Sequence, residues 1–197
     1  MTEKNAKPSR DPANDDSIVG MLRQVLDKTA QNTDDMLPAR VIAFNRETNR
    51  VQVQPMIHVV TTNGENVPRA QIIDIPVVQI GGGGFVLLFP LKTGDFGLIK
   101  ASDRDISLFL QSWQESPPNT FRKHSFSDAV FIPDVMRGWT LTGEDADRAV
   151  LQSLDGNTRI SIGADDIILT AGAASLTIAA DAVTSTVPIH APNFITG

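Results

Sequence analysis

Three histidines, a close pair of aspartates and a run of four glycines are the residues of this sequence whose types could support chemistry. His58, His124 and His190 are too scattered to make a case for a hydrolytic triad, which needs nucleophile, base and orienting acid brought together. His58 reads as a strand residue facing away from Ile57 and Val59, hence surface, and His124 sits in a polar loop between Lys123 and Ser125. His190 stands alone near the end of the sequence, whereas a metal needs several convergent ligands. Three copies of His190 would supply them only on a shared axis, and its parity is opposite to Val187 and Ile189, so no metal role is assigned. Asp103 and Asp105 flank Arg104. Paired carboxylates suit acid/base hydrolysis of a glycoside, but carboxylates this close around a guanidinium read as a salt-bridged loop. Gly81–Gly84 invites a phosphate-loop reading. That loop requires Gly-Lys-Ser/Thr opening a helix, and Phe85-Val-Leu-Leu88 follows instead, so a barrel turn is expected. With no cysteine, thiolate catalysis, disulfides and cysteine-based zinc sites are excluded. The expectation is a protein that is not an enzyme and carries no cofactor.

Composition narrows the partners. The 197 residues carry a net charge of −6, the wrong sign for displacing counterions from nucleic acid or for a polybasic membrane anchor. Tyrosine is absent and aromatics are 6%, which leaves few stacking platforms for bases or sugars. Trp113 and Trp139 bracket a proline-containing loop and read as core or interface anchors. No apolar run approaches the ~20 residues that span a bilayer, and the first residues lack the apolar segment of a secretory signal.

The elements that must position these residues fall into four zones. Residues 1–36 are a polar arm followed by an amphipathic helix over Ser17–Ala30, with N-cap chemistry at Asp15–Ser17 and Ile18, Leu22, Val25 and Leu26 at helical spacing. That stripe is the expected contact with a partner or a neighbouring chain. Residues 37–138 are β-rich. Val51, Val53 and Pro55 alternate with Gln52 and Gln54, Asn63-Gly64 marks a hairpin, and Pro76 breaks a third run as an edge or bulge would. The apolar run Phe85–Phe89 and a strand over Phe96–Ala101 follow, and Asp103–Trp113 reads as a short helix or helical turn. Short strands with turns of this kind imply a small closed barrel, so the fold class is all-β. Residues 139–157 form a linker and opening hairpin.

Residues 158–197 change character: no lysine, one arginine, and short aliphatic runs separated by small-residue turns. Ile160 and Ile162, Ile167 and Leu169, Leu176 and Ile178, and Val187 and Ile189 alternate with polar neighbours. Forty such residues leave strand edges and half of their apolar surface in water if folded alone. Repeats of this kind stack on neighbours, and three chains around an axis supply them, with these eight side chains as the core. A cyclic homotrimer with a C-terminal intertwined β-helix is the expected solution.

Several ordered blocks then carry a resemblance: Leu37-Pro-Ala-Arg-Val-Ile-Ala-Phe44, Arg50-Val-Gln-Val-Gln-Pro55, Asp74-Ile-Pro-Val-Val78, Gly81-Gly-Gly-Gly-Phe85, Phe89-Pro-Leu-Lys-Thr-Gly-Asp95, Ser102-Asp-Arg-Asp-Ile106 and Arg122-Lys-His-Ser-Phe-Ser-Asp-Ala129. Together they resemble the N-terminal domain of contractile-tail phage central spike proteins, the membrane-puncturing chains of Mu-like tails. The resemblance implies an oligonucleotide/oligosaccharide-binding (OB) barrel that trimerises beneath the tail hub, a triple-stranded β-helix spike, a place in the virion baseplate and passage through the host outer membrane. Spikes of this kind often carry a His-x-His pair that binds iron at the apex. Only His190 occurs here, so an apical iron is disfavoured, and a separate spike-tip protein is expected at the C-terminal end. The rival expectation from another class is an OB-type binding module for polysaccharide or nucleic acid.

Overall fold

The computed structural model describes residues 17–31, 33–61, 63–133 and 143–189. The chain divides into two compact units, Met1–Arg137 and Gly138–Gly197.

The first unit begins with helix α1 (Ile18–Gln31). Ser17 caps it: the Gly20 N–H donates to Ser17 Oγ at 3.0 Å, satisfying one of the donors a helix N-terminus leaves free. Lys28 in the last turn complements the carbonyl end. Of its residues only Gly20 is buried.

Strands β1 (Met36–Asn45) and β2 (Arg50–Pro55) form an antiparallel hairpin. Its turn is held by Asn45 Oδ1, which accepts from the Glu47 and Thr48 N–H groups, and Asn49 takes the left-handed conformation at φ 53°. The Gln/Val alternation of β2 is seen as expected, with Val51, Val53 and Pro55 buried and the residues between them half-buried. Strands β3 (Val59–Val60) and β4 (Asn66–Val67) make the small hairpin signalled by Asn63-Gly64. Strand β5 (Ile72–Pro76) pairs with β2 through a register slip between Val51 and Val53. Asp74 within it has φ 58°, so the irregularity expected at Pro76 is present.

Strands β6 (Ile80–Gly82) and β7 (Phe85–Leu87) form a separate two-stranded hairpin. The apolar run Phe85–Phe89 is therefore not part of the barrel wall. Gly81 and Gly82 lie in β6, and Gly83-Gly84 make the turn, at φ 59° and 87°; it belongs to this separate hairpin and not, as expected, to the barrel. Strand β8 (Phe96–Ser102), helix α2 (Ser107–Ser112) and strand β9 (Ser125–Pro133) complete the unit.

The barrel sheet has the order β5-β2-β1-β8-β9. It nearly closes on itself through a parallel bridge between Val77 and Phe131, where the Val78 N–H donates to the Phe131 carbonyl at 2.7 Å. Inside lie Ala39, Val41, Val51, Val53, Ile75, Ile99, Ala101, Phe126, Ala129 and Phe131. Gly97 lets β8 approach β9: an added Cβ would collide with the Phe131 ring and the Ile132 carbonyl.

The second unit opens with a single helical turn (Gly143–Asp145). A five-stranded antiparallel meander follows: β10 (Ala149–Gln152), β11 (Thr158–Ile162), β12 (Asp166–Ala171), β13 (Ala174–Ala179) and β14 (Val183–Ser185). Each strand pairs with its neighbour in sequence. The runs expected over 159–179 are strands, and the run Val183–Ile189 is a strand only to Ser185. The described ladder lies within one chain. The run at 193–196, His190, Trp139 and the arm 1–16 lie outside the described residues.

Candidate assembly surface

The residues with chemical potential are engaged in structural contacts. Asp105 has a fully buried side chain. It accepts from the Ser107 N–H at 2.9 Å, from Thr120 Oγ1 at 2.7 Å and from Arg122 Nη2 at 3.1 Å. Hydrogen bonding to Ser107 first, then to Thr120, and the Arg122 charge hold its carboxyl well below the usual carboxylate range, against the cost of burial. Arg122 also grips both oxygens of buried Asp128 at 3.1 Å. Asp103 faces the other way, 3.3 Å from His124 Nε2. The Asp103/Asp105 pair thus belongs to two different contacts, and Arg104 folds onto the Asp103 carbonyl at 2.9 Å. The expected salt-bridged loop is present, with Arg122 rather than Arg104 as its cation. His58 is exposed, as expected. Trp113 is no core residue: it lies 69% exposed at the C-terminal end of α2, edge-to-face with Phe109 at 5.3 Å. Among the described residues no cluster of three potential metal ligands occurs, and no helix is long and apolar enough to cross a membrane.

What the second unit offers instead is a surface. Residues directly opposite each other in a sheet share a face, so the register defines two cross-strand rows. Leu151, Ile160, Leu169 and Leu176 form one, and Ala149, Ile162, Ile167, Ile178 and Val183 the other. Their separation by two residues along each strand puts both rows on the same face. No charged side chain stands in either row. Leu151, Ile160, Ile162, Ile167, Leu169 and Ile178 are 38–49% exposed. Leu176 is half-buried, and Val187 and Ile189, beyond β14, are exposed. Six of the eight core residues named from the alternation are therefore brought together on one sheet face. Leu151 and Val183 join them unforeseen, because the strands that carry them are only four and three residues long.

The opposite face carries a polar network around Ser161. Arg148 donates from Nε to Ser161 Oγ at 2.7 Å and from Nη2 to Asp166 Oδ1 at 2.5 Å. Ser161 Oγ donates to Asp145 Oδ1 at 2.6 Å, and Arg159 pairs with Asp145 Oδ2 at 2.9 Å. Ser161 is fully buried and Asp145 nearly so. Gly163 leaves room for the network, since a Cβ there would lie 2.5 Å from an Arg148 nitrogen. The segment 143–148 is thus latched onto this face, and the apolar face stays open.

In the first unit, Ile18, Leu22, Val25 and Leu26 of α1 are all exposed. After the helix, Asp35 pairs with Lys100 of the barrel and Asp34 ties in beside it. Asp34 pairs with Arg69 at 3.1 Å and accepts the Phe126 N–H at 3.1 Å.

Comparison with curated proteins finds no match. Residues 37–134, which span the barrel from β1 to the end of β9, match the family model of the phage protein Gp138 N-terminal domain, a similarity that supports a phage structural, tail-associated protein and does not single out the Mu-like spikes.

Proposed function

We propose that this chain is a central spike of a phage contractile-tail baseplate: a non-enzymatic homotrimer attached to the tail hub on its N-terminal side and driven through the host outer membrane when the sheath contracts. The observation that carries the reading is the open, charge-free aliphatic face of the C-terminal sheet, in a chain whose barrel matches a phage family. Burying the remaining two-fifths of a Leu or Ile side chain is worth about 1 kcal/mol, and two cross-strand rows repeat that gain along the whole sheet. Three copies turned inward would cover one another and leave the latched faces outward. Asp165 and Asp181, in the turns, would keep the shaft soluble and limit adhesion to anionic lipid.

The strand order β5-β2-β1-β8-β9, with closure from β5 back to β9, supports an OB barrel, here acting as the adaptor to the hub. The exposed stripe of α1 fits a hub or neighbour-chain contact, and a separate tip protein would cap the other end. The engagement of Asp105 in an ion pair with Arg122 and of Asp103 beside His124 supports a mechanical rather than a hydrolytic role, and the acidic charge argues against nucleic acid. No cofactor is needed for this function.

Light scattering on the full chain tests the proposal. The expected mass is three times 21.3 kDa, with the assembly weakened in a chain ending at Gly143. A well-folded monomer at micromolar concentration refutes it.

A further inference from the structure

The chain enters the C-terminal sheet through a weak strand. β10 (Ala149–Gln152) is four residues long and lies at the sheet edge, paired with β11 on one side only. A short edge strand opens at little cost in free energy. Tension arriving along the chain at Ala149 would peel β10 from β11 one hydrogen bond at a time.

The residues just ahead of β10 are tied to the strands beyond it. Asp145 is bound to β11: its carboxylate accepts the Ser161 hydroxyl at 2.6 Å and pairs with the Arg159 guanidinium at 2.9 Å. Arg148 reaches β11 and β12 together. It donates to Ser161 Oγ at 2.7 Å, to the Ser161 carbonyl at 3.3 Å and to Asp166 Oδ1 at 2.5 Å. The Arg148 N–H donates to the Asp145 carbonyl at 3.1 Å and closes the turn between the two anchors. None of these partners belongs to β10. The contacts are also shielded from water: the Asp145 side chain is 3% exposed, and those of Arg148 and Arg159 are 17% exposed. Charge-assisted hydrogen bonds are the strong ones, and drawing Asp145 out would leave a buried guanidinium without its counter-charge.

We infer that residues 143–148 are a strain-relief clamp. Tension entering the second unit along the chain is delivered to β11 and β12, inside the sheet, and the edge strand β10 is bypassed. The inference deepens the mechanical reading proposed above and rests on it, since tension along the chain is what gives the bypass a use. Every residue of the clamp comes from one chain, so its test does not depend on the state of assembly.

Single-molecule pulling on the full chain tests the clamp, and the absence of native cysteine allows handles at chosen positions. Gly143→Cys with Ala182→Cys makes force enter ahead of the clamp. Leu154→Cys with Ala182→Cys makes it enter at the β10–β11 turn, beyond the clamp. All three positions are exposed, and a Cβ at Gly143 meets nothing within 4 Å. Handled chains are mixed with an excess of unmodified chain, so that no assembly holds two. Asp145→Asn should shorten the lifetime under constant force at least ~10-fold in the first geometry, because it leaves the Arg159 guanidinium facing a neutral amide. The shortening should be several-fold smaller in the second. Arg148→Gln, which keeps the Asp145–Arg159 pair and so guards against a variant that fails to fold, should act in the same direction in the first geometry. Equal shortening in both geometries would show a network that merely stabilises the sheet, and overturns the clamp. An unchanged lifetime in the first geometry overturns it as well. Light scattering on the same samples reads the assembly separately: a monomer in which only the first geometry responds removes the trimeric spike and keeps the clamp.

Discussion

Replacing Leu169 by aspartate strikes the middle of the open face. Leu169 is 38% exposed and sits between Ile160 and Leu176 across the sheet. In a single chain the substitution costs little, because the new carboxylate reaches water. In a trimer it removes about 1 kcal/mol of apolar burial per copy and takes a carboxylate out of water in each chain, which costs several kcal/mol per ion. Summed over three copies, the penalty is on the order of 10 kcal/mol, with mutual repulsion added. Leu169→Asp should therefore run as a monomer by light scattering while its far-ultraviolet dichroism keeps the β signal. Thr184→Asp is the control. Thr184 stands opposite Thr177 in the row that contains Ser161, on the other face, and the variant should stay trimeric. A Leu169→Asp protein that keeps the trimer mass and its melting temperature would refute the assignment of this face to the axis.

Three further outcomes follow from the first unit. Gly97→Ala drives a Cβ into the Phe131 ring and the Ile132 carbonyl and should lower stability by about 2–3 kcal/mol, read by denaturant unfolding. Ser17→Ala removes the cap on Gly20 and should cost about 1 kcal/mol of helix stability, read as a loss of signal at 222 nm. The carboxyl of Asp105 is held below its unfolded value, so its contribution is complete above about pH 4 and is lost as pH falls further toward the folded value. Melting temperature should drop below pH 4, and Asp105→Asn should lower it at pH 7 while flattening that acid slope.

The parts of this fold that could be read from the residues are those in which a local pattern settles the packing. The Gln/Val alternation of Arg50–Pro55 has one reading, a half-buried strand, and Ser17 before an amphipathic stretch has one reading, a cap. Asn63-Gly64 marks its hairpin because few residues tolerate the conformation of Gly64, at φ 82°. The alternation of Ile160 through Ile178 names a face for the same reason. What an apolar run cannot say is whether its cover comes from its own domain: Phe85–Phe89 reads like a core strand and lies in a projecting hairpin. Polar networks were illegible for a different reason. Arg122 meets Asp105 across 17 residues and Arg148 meets Asp166 across 18, and only the folded chain closes such distances. Trp113 could be read only as a core or an interface residue, and the fold removes the first of these, since it ends a six-residue helix on the surface of the chain.

The meander has a kinetic corollary. Because every strand of the second unit hydrogen-bonds only to its sequence neighbours, each turn closes a short loop, and such topologies zip up quickly. A newly made chain can finish its own sheet unaided, so in the proposed trimer subunit docking would be a separate, concentration-dependent event. Refolding after dilution should show a rapid first-order phase followed by a slower one that accelerates with protein concentration. In the interval between them the aliphatic rows lie bare, which makes dilute, cool conditions the ones under which assembly outruns precipitation.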